Sequence, residues 1–269
     1  MEIKRSNVME IIDKSGLKPD KDYGQNFLLE PDICKKIVDL LEINNDKVLE
    51  IGPGIGSLTH FLTQYKESKI TLVDIDQRMI DFLRILYTQE NTELVVNDIR
   101  KTDVSGYTKI IGNLPYNITT EVIVYLLENA VNAKRMVLMC QTEAFSHFSD
   151  VSGKEYGPAS ILVHLLGDSK RVFSVKPGCF HPIPKCSSLV FTIDINENVD
   201  RDLALKVYKL SKQLFLNRRK TIYNNLSGYL GNKEKAQAIL EKANIPQNKR
   251  PEEILPNDYV VLYKTIANN

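Results

Sequence analysis

From about residue 30 to residue 195, short apolar runs alternate with segments whose apolar residues recur every three or four positions. The runs KVLEIG (47–52), KITLVD (69–74), ELVVND (93–98), KIIGNL (109–114) and RMVLMCQ (135–141) each have the length of a buried strand. Between them, QRMIDFLRILY (77–87) and TEVIVYLLENA (120–130) carry the helical period, and SLTHFLTQY (57–65) reads as a further helix. Pro31 can open a helix running to about Leu41, with Ile33, Ile37, Val38, Leu40 and Leu41 on its apolar face. Strand and helix alternating at this spacing predict βαβ units and a parallel sheet covered on both faces. RVFSV (171–175) and SLVFTID (188–194) are placed to add a closing hairpin, across a proline-bearing connection at 176–187.

The pattern changes after DINENVD (194–200), which has the composition of a linker. Beyond it every apolar segment has helical spacing, at 203–216, 221–230, 234–243 and 256–267, and Pro246, Pro251 and Pro256 punctuate the last connection. The pattern therefore divides the chain into an α/β domain over 1–196 and a small all-helical domain over 200–269.

Composition narrows the class. The 269 residues are 43% hydrophobic and 26% charged, enough for a sizeable core and unlike a disordered, collagenous or coiled-coil chain. No apolar run approaches the roughly 18 residues of a spanning helix, so no membrane partner is expected. The opening MEIKRSNVMEIIDKSG has early acids and no apolar core, unlike a secretory signal. Cys34, Cys140, Cys179 and Cys186 make no CxxC pair, which fits reduced thiols and a cytoplasmic chain. His60, His147, His164 and His181 share no ligand spacing, so no metal is expected. The net charge of +1 conceals an asymmetry: residues 201–269 hold 13 Lys/Arg against 6 Asp/Glu, whereas residues 1–200 hold 22 against 28. Within 206–220 stand Lys206, Lys209, Lys212, Arg218, Arg219 and Lys220 with no acid. A basic segment on a mildly acidic body suggests a polyanion partner.

Candidate chemistry gathers at the strand ends. EIGPGIGSLT (50–59) follows the first strand with Gly52, Gly54 and Gly56 in a GxGxG pattern, which differs from the dinucleotide fingerprint. Asp74 ends the second strand, where a carboxylate can accept from a ribose diol. Asp98 ends the third, where it can accept from the exocyclic amine of an adenine. No basic residue lies in or just after the glycine loop, which disfavours a pyrophosphate. A zwitterionic adenosyl ligand fits, and S-adenosylmethionine is the candidate.

GNLPYN (112–117) lies just past the fourth strand. The exocyclic amine of adenine is a poor nucleophile, because its lone pair is delocalised into the ring. An enzyme that methylates it must hold that nitrogen with acceptors. The Asn113 side chain and the Leu114 carbonyl can accept, Pro115 stiffens the turn, and Tyr116 offers a face for the base to stack on. Catalysis of this kind needs positioning and electrostatic stabilisation rather than a base of matched pKa.

With these motifs in place the chain resembles the ribosomal RNA adenine dimethyltransferases, specifically the small-subunit (KsgA-type) branch. GQNFL (24–28), EIGPGIGSLT, NLPYNI, PGCFHPIPKCSSLV (177–190), LFLNRRKTIYNNL (214–226) and ANIPQNKRPEEIL (243–255) match that family's motifs in order. The resemblance implies a Rossmann-like class I methyltransferase fold with a C-terminal helical domain. It implies S-adenosylmethionine as methyl donor and no metal. It implies dimethylation of two adjacent adenosines in the 3′-terminal hairpin loop of 16S rRNA, on the immature 30S subunit, by a monomer. By position, Asn26, Leu28, Gly52, Gly54, Asp74, Asp98 and Asn113 would form the donor site. Tyr116 and Phe180 would sandwich the adenine, and Arg218, Arg219 and Lys220 would hold RNA phosphates. Three positions depart from the family: Asp74 replaces glutamate, Gln141–His147 lacks the lysine and arginine of its Q-K-E-x-A-x-R stretch, and Cys186 replaces valine. Two other readings stand beside it. One is the sister branch that methylates 23S rRNA and confers macrolide resistance, disfavoured by NLPY in place of NIPY and by the RRKT segment. The other is a non-catalytic ribosome-assembly or transcription factor, disfavoured by intact Asn113 and Tyr116.

Overall fold

The computed structural model describes Glu10, residues 16–20 and residues 23–268. Most of the N-terminal stretch behind the signal-peptide reading lies outside the described residues. By compactness the chain forms two units. One runs to Ala144 and resumes over Lys170–Ile195; the other comprises Phe145–Ser169 and the chain from Asn196 onward.

The first unit is built on strands β2 (Lys47–Ile51), β3 (Lys69–Asp74), β4 (Thr92–Val96), β5 (Lys109–Asn113), β6 (Arg135–Gln141), β7 (Gly167–Val175) and β9 (Ser188–Ile195). They form one sheet in the order β4-β3-β2-β5-β6-β9-β7. β2 pairs in parallel with both β3 and β5, β3 with β4, and β5 with β6. β9 runs antiparallel to β6, from Arg135 opposite Asp194 to Gln141 opposite Ser188. The strand order reverses at β2, so the carboxyl ends of β2 and β5 open a crevice where ligands bind in doubly wound sheets. Helices α1 (Pro31–Asp39), α2 (Thr59–Leu62), α3 (Gln77–Leu86) and α4 (Thr119–Asn129) cover the sheet. α3 turns Met79, Ile80 and Leu83 inward, and α4 does so with Val122, Ile123, Leu126 and Leu127. These are the residues the 3.6-residue period marks.

A second, two-stranded pairing was not legible in the sequence. β1 (Phe27–Leu28) runs antiparallel to β8 (Phe180–His181), with Leu28 opposite Phe180. The Leu29 N–H donates to the Cys179 carbonyl at 2.8 Å and extends the pairing. The GQNFL motif is thereby fastened to the proline-rich connection.

The second unit contains α5 (Ser146–Ser149), α6 (Pro158–Leu166), α7 (Arg201–Leu214), α8 (Ile222–Leu230), α9 (Lys233–Lys242) and α10 (Pro256–Ala267). Asp200, Thr221 and Asn232 cap α7, α8 and α9, each accepting a first-turn N–H. Tyr156 and Ile161 are buried in one core with Leu214, Phe215, Leu226 and Tyr259. The Tyr156 hydroxyl donates to the Ile254 carbonyl at 2.9 Å. Residues 145–169 thus supply core to the helical unit, although the sequence pattern grouped them with the α/β domain. Among the described residues no helix is long and apolar enough to cross a membrane.

Candidate active site

The crevice at the carboxyl ends of β2, β3, β4 and β5 is a cleft of about 1050 Å³, its open mouth included. It is lined by Asn26, Leu28, Gly52, Gly54, Asp74, Asp98, Asn113, Leu114 and Tyr116, among others. Nine positions named from sequence therefore meet in one place.

The glycine loop forms one wall. Gly54 has φ +53°, and a Cβ there would stand 3.1 Å from the Phe27 ring. Glycine alone accepts both that backbone and that neighbour. The Gly54 N–H donates to Asp74 Oδ2 at 3.3 Å, and the Asp76 N–H donates to Asp74 Oδ1 at 2.9 Å. Asp74 is only 7% exposed. Burial raises its carboxyl to about 6, against the opposing pull of those backbone hydrogen bonds.

Glu50, at the head of the glycine motif, was not singled out from sequence. It lines the cleft, is 1% exposed, and accepts from the Thr59 hydroxyl at 2.7 Å. Burial first, with Asp74 nearby adding to it, pushes its carboxyl up to about 8. The sequence signal was a lone acid inside an otherwise apolar strand.

Asp98 is clasped by its neighbour. The Arg100 Nε and backbone N–H donate to Oδ1 at 3.1 and 2.9 Å, and Nη2 donates to Oδ2 at 2.8 Å. A carboxylate offers about four lone-pair sites, so Oδ2 keeps an open one for a ligand amine. The Arg100 guanidinium holds the Asp98 carboxyl below its usual range. Nη1 of Arg100 also reaches Glu121 on α4 at 2.6 Å.

Asn113 closes the far side. Its amide nitrogen donates to the Asn26 carbonyl at 3.0 Å. A carbonyl can only accept, so this contact fixes the amide orientation and leaves Oδ1 as an acceptor. The Leu114 N–H donates to the Met139 carbonyl at 3.0 Å, which holds the NLPY turn against β6. Gly112 is needed within β5: a Cβ there would stand 2.9 Å from the Ile51 carbonyl oxygen. Tyr116 is half-buried, and its hydroxyl shares a hydrogen bond of 2.9 Å with Ser188 Oγ at the start of β9. On the N-terminal side, Ser57 donates to the Leu28 carbonyl at 2.6 Å and Gln25 donates to Asp76 at 3.0 Å.

Two expectations meet a different arrangement. Phe180 does not line the cleft: it is 1% exposed and sits in the core with Leu28, Cys34 and Val175. Buried in that core, it presents no exposed face. Arg218 is not a free cation. Its Nε meets Glu252 at 3.1 Å, and Nη2 donates to the Tyr156 and Gly153 carbonyls at 3.0 and 3.2 Å. It fastens the 153–156 loop within the helical unit. Arg219 and Lys220, in contrast, are exposed. The Ile222 N–H donates to the Lys249 carbonyl at 2.6 Å, which brings Lys249 and Arg250 beside them. On α7, Lys206 pairs with Asp202 at 2.5 Å and Lys212 lies over the Tyr208 ring. Thr142 donates to the Ser187 carbonyl, and His147 lies 3.2 Å from the Glu155 carbonyl, so these departures from the family stretch serve local packing.

The lining sets Asp74 and Asp98 against the already paired Arg100, with Glu50 beside them holding its proton at neutral pH. Such a cleft suits a cationic or zwitterionic ligand and repels a pyrophosphate. Among the described residues no group of three or more acidic, histidine or cysteine side chains could hold a metal ion.

Comparison with known proteins agrees with this geometry. The profile of the family described as Ribosomal RNA adenine dimethylase matches residues 16–268. The chain is 34% identical to the Ribosomal RNA small subunit methyltransferase A of Alkaliphilus metalliredigens, over 97% of this chain and 96% of that one. It superposes on a crystal structure of a dimethyladenosine transferase from Plasmodium falciparum with a TM-score of 0.74 and 28% identity, over 89% of this chain and 96% of that one. The crystal structure of the 23S rRNA methyltransferase ErmE gives a TM-score of 0.68 at 22% identity, over 90% and 99% of the two chains, and so shares the Rossmann-like methyltransferase fold.

Proposed function

We propose, from the premise that this chain belongs to the ribosomal RNA adenine dimethylase family, that its substrate is the pair of adjacent adenosines in the 3′-terminal hairpin loop of 16S rRNA. The chain is an rRNA adenine dimethyltransferase with a class I methyltransferase fold. Its near full-length likeness to a small-subunit enzyme supports 16S rRNA over 23S rRNA. The proposed setting is the cytoplasm, on an immature small subunit, with the enzyme as a monomer.

S-adenosylmethionine, when bound, supplies a sulfonium methyl to the attacking nitrogen. The acidic cleft would favour its positive charge, with Asp74 accepting from the ribose hydroxyls and the open lone pair of Asp98 accepting from the adenine amine. The observation that carries the catalytic reading is the clamp between Asn113 and the Asn26 carbonyl. It aims the one amide oxygen able to accept from a target amine. Tyr116, steadied by Ser188, gives the base a stacking face. Phe180 is given no role at the base. Arg219 and Lys220, with Lys249 and Arg250 beside them, form the basic rim proposed to hold RNA phosphates.

The test is transfer of labelled methyl groups to small and large subunits from cells lacking the protein. Incorporation into the terminal 16S hairpin, lost in Asn113→Ala with the melting temperature kept, is the expected result. Incorporation into 23S rRNA, or equal turnover by the variant, overturns the assignment.

A further inference from the structure

The basic rim lies on the helical unit, yet the catalytic unit has its own cationic stretch. Residues 169–193 contain Lys170, Arg171, Lys176 and Lys185 and not one acid, in a unit otherwise rich in acids. Arg171 on β7 and Lys176 and Lys185 on the connection to β9 are all exposed.

That connection is fixed to the cleft at both ends. Phe180 and His181 pair with Leu28 and Phe27, and both of those line the cleft. Ser188, at the other end, bonds Tyr116. Between them stands Ile183, which is 68% exposed and flanked by Pro182 and Pro184. It lies five residues from Ser188, so even a fully extended chain keeps it within about 17 Å of the Tyr116 partner. Pro182 and Pro184 restrict the backbone on either side of an apolar side chain held in water, with Lys176 before it and Lys185 after it in sequence, near a site that must receive a single base.

A base methylated on its exocyclic amine has to leave its stack, and the vacated step is costly unless something apolar fills it. We propose that the 176–187 connection grips the RNA strand beside the target adenosine, with Ile183 entering the vacated step and Lys176 and Lys185 holding the flanking phosphates. The proposal rests on the RNA-methylating reading above and adds a specificity element to it. Charge selects the partner: cations flanking an apolar tip match a phosphate backbone with bases exposed between its charges.

The experiment measures methyl transfer by the full-length protein to undermethylated small subunits. Ile183→Ser should lower kcat/KM at least tenfold, with melting temperature and donor affinity unchanged, because the side chain is exposed. Ile183→Leu should stay within twofold of the parent. Lys176→Ala and Lys185→Ala should each raise KM for the subunit, leave kcat unchanged, and flatten the salt dependence by roughly one unit of slope. Ile183→Ser within twofold of the parent overturns the proposal. A parent protein that transfers nothing to small subunits instead overturns the functional reading itself.

Discussion

Replacing Glu50 by glutamine tests whether a neutral acid is built into the floor of the donor cleft. Glutamine keeps the shape, and its carbonyl can still accept from the Thr59 hydroxyl that lies 2.7 Å from Glu50. What changes is the link to protons. Burial, aided by Asp74, moves the Glu50 carboxyl from 4.5 to about 8, so the folded chain keeps a proton that the unfolded chain has released. A raised carboxyl gives stability that is fullest below about 4.5 and is lost as the pH rises toward about 8. Each pH unit within that window costs the parent about 1.4 kcal/mol, with a ceiling of about 5 kcal/mol over the whole of it. The glutamine variant carries no such slope. Asp74 adds a similar decline below about 6, but it does so in both proteins and cancels from the comparison. Urea unfolding of the two ligand-free proteins, from about pH 5 to about pH 8, should show the variant gaining up to about 4 kcal/mol on the parent. A difference that stays flat to within about 0.5 kcal/mol across that range would mean that Glu50 is ionised throughout, and the reasoning would fail.

Three other outcomes follow from the geometry. Arg218→Ala should destabilise the protein by about 1–3 kcal/mol in denaturation, since it leaves Glu252 and two carbonyls without their donor, and should leave the salt slope of RNA binding unchanged. Arg219→Ala should do the reverse, costing little stability and lowering that slope by roughly one. Gly112→Ala should cost roughly 2–3 kcal/mol or force β2 and β5 apart, because its Cβ would meet the Ile51 carbonyl oxygen at 2.9 Å; a melting temperature equal to the parent's would refute this.

The sheet was legible because its strands are short apolar runs with turns between them, and the donor cleft because its residues stand at the strand ends. GQNFL is placed by likeness, and the pairing of Leu28 with Phe180, with the bonds of Asn113 to Asn26 and of Ser57 to Leu28, shows what carries it to the cleft. Phe180 itself could not be placed, because an aromatic beside prolines looks the same from sequence whether it faces a base or a core. Arg218 looked like a phosphate ligand for a similar reason: its partners Gly153, Tyr156 and Glu252 are remote in sequence. α6 went unread because PASILVHLL is apolar on nearly every side, so it carries no strong period. Glu50 is marked in sequence only as a lone acid in an apolar run, and its full burial comes from the fold around it.

The chain enters the helical unit at Phe145, leaves it after Ser169, and re-enters at Asn196. An exchange of that unit between relatives therefore needs two junctions, because a graft of residues 196–269 alone would abandon Tyr156 and Ile161 and leave a hole in the transplanted core. Recombination at a single crossover cannot shuffle the two halves of this enzyme independently. Its lineage is bound to inherit the methyl-transferring half and the helical half as one.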